Sequence, residues 1–426
     1  MPNMMEGFWV FPLLLILLLF GLPVGIALFT SALAVLLVNG FEVMNMAHTM
    51  YQTMDSFLLS SLPLFMLMAS ILFRANIGED LFEFLNIFLR RIRGGLSLSS
   101  LAACGLFAAI AGSSAATVLT IGVVAIPAML SRGYDRKLVF GTLASGGLLG
   151  VLIPPSGWMI IYGDIAEVSV GKLFMAGILP GILLLLIFMT VAYVQSIRTH
   201  MEPMEPITWP EAKAAFRRAF PAIWLPLLIL GGIYSGIFTP TESAAVGCVY
   251  AAAISFKRLK IKDFWPIFKD TVVSTSMLFL VIKTAVVFGM SLTMMQVPQK
   301  LASIVVEAGL SPIPFIIVMS LVYLVLGLFV DGICMLLLTL PIILPILNAL
   351  NIDLIWFCII VVVNMELGCI TPPFGVNLFV LMGIVKDAEL PEIMHGLLPF
   401  ILGLIVFLII VISFPFLSTW LPALLR

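Results

Sequence analysis

Long uncharged, almost wholly apolar stretches alternate along the chain with short clusters of Lys and Arg. From Leu138 to Gly163 there are 26 consecutive residues without a charge, and from Leu173 to Ile197 there are 25. Each is long enough for one tilted helix across a bilayer. Because Lys and Arg collect in cytoplasmic loops, we place on that side Arg90-Arg91-Arg93, Arg132-Arg136-Lys137, Arg198 with Lys213-Arg217-Arg218, and Lys257-Arg258-Lys260-Lys262-Lys269. The stretch Gly94–Ser131 has 38 uncharged residues with a basic cluster at each end, so it must cross an even number of times. Two full spans would need about 40 residues plus a turn. A re-entrant helical hairpin fits this length best, with an ordinary pair of tight helices as the alternative. Its predicted tip, Gly112-Ser113-Ser114-Ala115-Ala116-Thr117, is small and polar. At membrane depth such backbone is tolerated only inside protein or against a watery cavity. By the same parity, Ala219–Phe256 holds two short spans broken near Gly236–Pro240, and Leu81–Ile92 has the alternation of an interfacial helix.

At an offset of 218 residues the second half repeats the first: Ser113 falls on Asp331, Pro127 on Pro345, Gly150 on Gly368, Pro154-Pro155 on Pro372-Pro373, and Gly157 on Gly375. Gly177-Ile178-Leu179-Pro180 has its counterpart in Gly396-Leu397-Leu398-Pro399. Each half then reads as two short helices, one span, an amphipathic stretch, a hairpin, a broken span and a final span. Five crossings per half is odd, so the halves insert in opposite directions. The expected division is residues 1–197 as the first inverted repeat with a hairpin near 95–131, a cytoplasmic linker at 198–220, and 221–426 as the second repeat with a hairpin near 311–348. The fold class is an all-α polytopic membrane protein of about ten spanning helices plus two re-entrant hairpins, an arrangement typical of secondary transporters.

Composition narrows the function. Of 426 residues, 62% are hydrophobic and 10% charged, with a formal net charge of −1. That is too little polar surface for a water-soluble domain, and there is no cationic excess for nucleic acid. No basic region precedes the first apolar stretch, since the first Lys or Arg is Arg74; Phe8–Val38 is therefore read as structural and not as a cleaved signal. The five cysteines form no CxxC pair, and His48, His200 and His395 fit no HExxH pattern. There is no GxSxG and no phosphate-binding GxxxxGK[ST]. Neither a nucleophile–base pair nor a metal cluster is visible, so an enzyme is not expected and no cofactor is implied.

The two Pro-Pro breaks carry the chemistry. Each removes amide donors and frees upstream carbonyls. Freed carbonyls, half-helix C-termini and hydroxyls can cage Na⁺, while the N-terminus of the next half-helix suits an anion. Proline kinks that only shape packing are the alternative.

In Leu62-Pro63-Leu64-Phe65, the Gly112–Thr117 tip, Ile126-Pro127-Ala128-Met129 with Gly133-Tyr134, Leu152–Ser156, Leu173–Gly181 and Phe238-Thr239-Pro240-Thr241-Glu242, the chain resembles the large membrane subunit of the tripartite ATP-independent periplasmic (TRAP) transporters. The resemblance spans essentially the whole chain. It implies an elevator-type, Na⁺-driven importer of an organic anion, of the dicarboxylate or sugar-acid class, in the bacterial inner membrane. The implied partners are a small four-helix membrane subunit and a periplasmic binding protein. The family's Na⁺ sites, carried over residue by residue, fall on Ser113, Ser114 and Thr117 with Pro154 and Ser156, and on Asp331 and Gly332 with Thr371, Gly375 and Asn377. Many members carry Asp at the position of Thr117, so here the first tip lacks a carboxylate. Ser114, Ser156, Lys283 and Asn377 are the candidate substrate contacts.

Asp331 is the charged residue most expected to act, because a carboxylate at membrane depth is costly unless paired or used. Lys283 could attract a substrate carboxylate, or neutralise Asp331 or another acid. Glu242 reads as a helix-terminal acid satisfying free amides. Trp9, Trp158, Trp224, Trp265, Trp356 and Trp420 read as interface anchors and packing. Two alternatives remain at this point, a stand-alone Na⁺/dicarboxylate symporter of similar hairpin design and a channel.

Overall fold

The computed structural model describes residues 8–199, 201–203, 205, 207–373 and 375–424; Phe374, within the second Pro-Pro motif, lies outside them, as do Met204 and Pro206 of the linker. The first half opens with two short apolar helices, α1 (Val10–Leu19) and α2 (Val24–Val38). The single span expected next is two helices, α3 (Met44–Met54) and α4 (Ser61–Arg74). The polar turn between them explains the difference, because the Ser56 hydroxyl donates to the Asp164 carboxylate at 2.7 Å and ties the turn to a distant segment. α5 (Ile77–Leu89) bends away from α4 by 70°. The joint is Asn76, at φ 55°, a left-handed conformation that Asn tolerates. α5 covers most of the stretch expected to be interfacial, Leu81–Ile92, starting four residues earlier and ending three residues earlier. It buries Ile77, Leu81 and Phe82 and leaves Phe88 exposed.

The hairpin follows as α6 (Gly95–Ala111) and α7 (Ser114–Leu130), 17 residues each and packed on one another. At 1.5 Å per residue each is about 25 Å long, short of a full bilayer core. α8 (Arg136–Leu152) and α9 (Gly157–Ala166) form the first broken span, and α10 (Val170–Arg198) ends the half.

The second half is α11 (Trp209–Tyr234), α12 (Pro240–Ser255), α13 (Ile261–Met294), α14 (Val297–Glu307), α15 (Pro312–Leu326), α16 (Gly332–Ala349), α17 (Leu354–Cys369), α18 (Val376–Ile384), α19 (Leu390–Ser413) and the short α20 (Phe416–Thr419). The linker expected over 198–220 is shorter than the charge pattern implied. The Thr208 amide bonds the Glu211 carboxylate at 3.1 Å, and with Pro210 in the first turn this starts α11 at Trp209. Such a capping box overrides the polar composition of the segment. The break near Gly236–Pro240 is present, and Glu242 caps α12 as expected, accepting from the Thr239 amide and hydroxyl at 2.8 and 2.9 Å.

Six helices of the described residues, or seven if α4 and α5 count as one span, are long and apolar enough to cross a membrane, and six further apolar helices have 10–17 residues. Packing is reciprocal between the halves: α2 lies on α13 and α12 on α4, while α18 lies on α7 and α9 on α16. α8 is the centre, enclosed by α6, α7, α10 and α19. At its N-terminus, Arg136 bonds both Asp387 and Glu392 at 2.9 Å, fixing the α18–α19 loop. The guanidinium holds the Asp387 carboxyl below the usual carboxylate range.

Candidate functional site

The first tip is two residues long, Gly112 and Ser113, since Ser114 already belongs to α7. Gly112 sits at φ 60°, and a Cβ there would meet the Pro155 carbonyl oxygen. Only glycine combines that conformation with that proximity. Ser113 is the N-cap of α7, its side chain accepting from the Ala116 amide. The tip therefore abuts the α8–α9 break directly. The Ser113 carbonyl also lies against Gly150 and accepts the Thr117 hydroxyl at 2.8 Å. Thr117 and Ser156 are fully buried, and the Ser156 hydroxyl has no hydrogen-bond partner among the described residues. Ser113, Ser114, Thr117, Pro154 and Ser156 are thus brought to one junction of tip and break.

Asn377, expected with Asp331, lines the same cavity as Asp331 and also reaches the first tip. It is fully buried, accepts the Ser114 hydroxyl at 2.9 Å and donates to the Ala144 carbonyl at 3.0 Å. α18 packs on α7, which carries this side chain across to the first tip.

The second tip is longer. Five residues, 327–331, join α15 to α16, against two in the first hairpin. Contact between the two helices includes the Tyr323 and Thr339 hydroxyls, 2.9 Å apart. Asp331 is the N-cap of α16 and its Oδ2 accepts the Ile333 amide at 3.2 Å. Gly332 packs under the ring of Trp158 so closely that a Cβ would overlap the indole. Trp158 is therefore a wall of the cavity, filling the packing role expected of these tryptophans and not that of an interface anchor; the α9–α16 contact turns it inward. Trp356 is also buried, its indole N–H donating to the Val411 carbonyl at 2.8 Å, while Trp224, Trp265 and Trp420 stay exposed. The second break meets the end of α15, with Gly368 against Gly327. Its Thr371 hydroxyl turns back to the Leu367 carbonyl at 2.6 Å, and the Gly375 amide donates to the Thr371 carbonyl at 3.1 Å.

Both tips open on one cavity of about 170 Å³, lined by Gly112, Ser113 and Ser114 from one side and by Asp331, Cys369 and Asn377 from the other, with Phe65 and Trp158 as aromatic walls. Lys283 does not line it and forms no ion pair among the described residues. It stands in α13, apart from the residues that line this cavity. One acid escaped sequence reading. Glu366 in α17 is fully buried and neither carboxylate oxygen has a hydrogen-bond partner among the described residues. The signal was there, a lone acid in the apolar run Val361–Ile370.

Hydroxyls, freed carbonyls, one carboxylate at a helix N-terminus and apolar walls, converging from two broken helices, define a membrane transport protein. Residues 11–417 match the family described as the tripartite ATP-independent periplasmic transporter, DctM component. The chain belongs to this family, as the large permease subunit of a TRAP transporter, and is a multi-pass inner-membrane protein. It is 40% identical over 396 residues to the C4-dicarboxylate TRAP transporter large permease protein DctM of Pseudomonas aeruginosa, covering 92% of both chains. It is 33% identical to the ectoine/5-hydroxyectoine TRAP transporter large permease protein UehC of Ruegeria pomeroyi, covering 95% of this chain and 96% of that one. It is 34% identical to the sialic acid TRAP transporter permease protein SiaT of Haemophilus influenzae, covering 96% of this chain and 67% of that one. These relatives are transport permeases, not enzymes. Among solved structures, the Alcanivorax borkumensis YdaH transporter shares the fold, with a TM-score of 0.55 at 13% identity over 86% of this chain and 88% of that one.

Proposed function

We propose that this subunit imports a small organic anion by Na⁺ symport, through an elevator movement of its hairpins and broken helices against the remaining helices. The cavity shared by the two tips carries this reading. It offers oxygen ligands suited to Na⁺ next to the N-termini of α9 and α18, whose positive dipole ends suit a carboxylate. Ser113, Ser114, Thr117, Pro154 and Ser156 form the first cation site; Asp331, Gly332, Thr371 and Gly375 form the second. Ser114, Ser156 and Asn377 are the substrate contacts. Reciprocal packing of the halves, and the recurrence of hairpin, broken span and final span in each, support inverted repeats of residues 1–197 and 221–426. The 40% identity to a C4-dicarboxylate permease favours a dicarboxylate as substrate. The partners are a small four-helix membrane subunit and a periplasmic binding protein.

The test is uptake into proteoliposomes. The chain with its small subunit should accumulate a labelled dicarboxylate only when the binding protein and an inward Na⁺ gradient are both present. Accumulation by this chain alone would replace the tripartite reading with the stand-alone symporter. Equal, non-saturating flux without Na⁺ would replace both with a channel.

A further inference from the structure

A second cavity lies away from the tips, between α5 and the start of α11. It is about 740 Å³ in volume. Its walls are aromatic and aliphatic, including Phe84, Phe88, Trp209 and Phe216, and its lining includes two cations, Arg91 and Lys213. Neither cation is in an ion pair among the described residues, although their neighbour Arg218 pairs with Glu83 at 2.7 Å. From the groove an aromatic ladder descends α11: Phe216 to Phe220 at 5.4 Å between centroids, then Phe220 to Trp224 at 6.3 Å. Phe216, Phe220 and Trp224 are 45, 48 and 48% exposed, and Trp209 above them is 81% exposed.

Cations at the head of an apolar groove, with an apolar stripe running from it along a helix long enough to span, match the two ends of one molecule. Basic pockets beside membrane helices take anionic headgroups, and aromatic rings cover acyl chains at the interface. We propose that this groove is a binding site for an anionic phospholipid, its phosphate between Arg91 and Lys213 and one acyl chain along Phe216, Phe220 and Trp224. Because α5 also packs on the hairpin helix α6, a lipid held here would brace the hairpin's neighbour against α11.

The test uses the full chain purified with its small membrane subunit from vesicles of phosphatidylglycerol and phosphatidylethanolamine. Lipid retained by the complex is counted by native mass spectrometry. Phosphatidylglycerol should be enriched over the vesicle composition, and Arg91→Gln with Lys213→Gln should weaken that retention roughly twenty-five-fold, about fivefold for each basic residue removed. Arg132→Gln, a cation outside the groove, should leave it unchanged. A photo-crosslinking residue at position 216 supplies a readout that does not need the double variant to be stable, and should form adducts with phosphatidylglycerol. Retention equal in the double variant and the unmodified complex would overturn the proposal. So would crosslinking of position 216 to the small subunit, which would make this face a protein interface.

Discussion

Asp331→Asn separates the charge of the second tip from its shape. Asn caps helices as well as Asp, so it can keep accepting the Ile333 amide that now lies 3.2 Å from Oδ2, and α16 should still start at Gly332. What disappears is the one negative charge among the residues lining the tip cavity. A carboxylate and a cation in contact attract by several kcal/mol even at an effective dielectric near 20, before desolvation is subtracted. A charged hydrogen-bonding group typically contributes about 1.5–3 kcal/mol net, which is roughly ten- to a hundred-fold in affinity. Uptake by the complete three-component system should therefore fall at low Na⁺ and recover in part as Na⁺ rises. Thr117→Ala is the control, since its hydroxyl is already engaged with the Ser113 carbonyl at 2.8 Å and carries no charge; its effect should be smaller. The assay is initial uptake rate against Na⁺ concentration in proteoliposomes. An unchanged Na⁺ half-saturation in Asp331→Asn would show that this carboxylate is not a cation ligand, and the second site would have to be moved.

Asn377→Ala removes the acceptor of the buried Ser114 hydroxyl and a second bond to the Ala144 carbonyl, which keeps its partner within α8; one unpartnered buried group costs about 1–3 kcal/mol, so thermal unfolding should show a loss, Ser114→Ala a smaller one, and the double variant less than the sum. Glu366→Leu removes two buried oxygens that have no hydrogen-bond partner, so the melting temperature should hold or rise; a stable protein with lost uptake would mark Glu366 as functional, and a large drop in melting temperature would refute its unpartnered environment.

Most of the helical plan was legible because it is written in charge. Arg90-Arg91-Arg93 and Arg132-Arg136-Lys137 bracket the first hairpin, and nothing between them could be solvated otherwise. The junction of Gly112–Ser113 with the α8–α9 break was legible too, since proline pairs and a small polar tip each announce backbone that needs partners. Among the features that were not, three share one cause, tertiary or capping geometry. The start of α11 hid in a segment whose composition reads as loop, because a capping box acts through geometry that composition does not register. Asn377 was assigned to the nearer tip in sequence, and its further bond to Ser114 at the first tip, made because α18 lies on α7, is a tertiary fact. Trp158 shares its chemistry with interfacial tryptophans, and only the absence of a side chain at Gly332 reveals that it faces inward.

The two tips differ in how they are held, and the difference bears on coupling. The first is clamped by short range contacts with α8 and by the Ser114–Asn377 bond from the other half. The second has a five-residue connection, residues 327–330 of which bond back onto the end of α15, and it rests on Trp158. The longer tip, with no side-chain hydrogen bond from the other half among the described residues, is the one a bound cation can organise, because binding energy shifts an equilibrium only where the alternatives lie close together. Asp331 stands at that tip. On the proposed mechanism, Na⁺ at Asp331 would order α16 against Trp158, and Trp158 stands in the first turn of the α9 half-helix, whose N-terminus would face the anion. Cation and anion would then meet through one indole ring, with the first tip serving as the fixed wall against which the second closes.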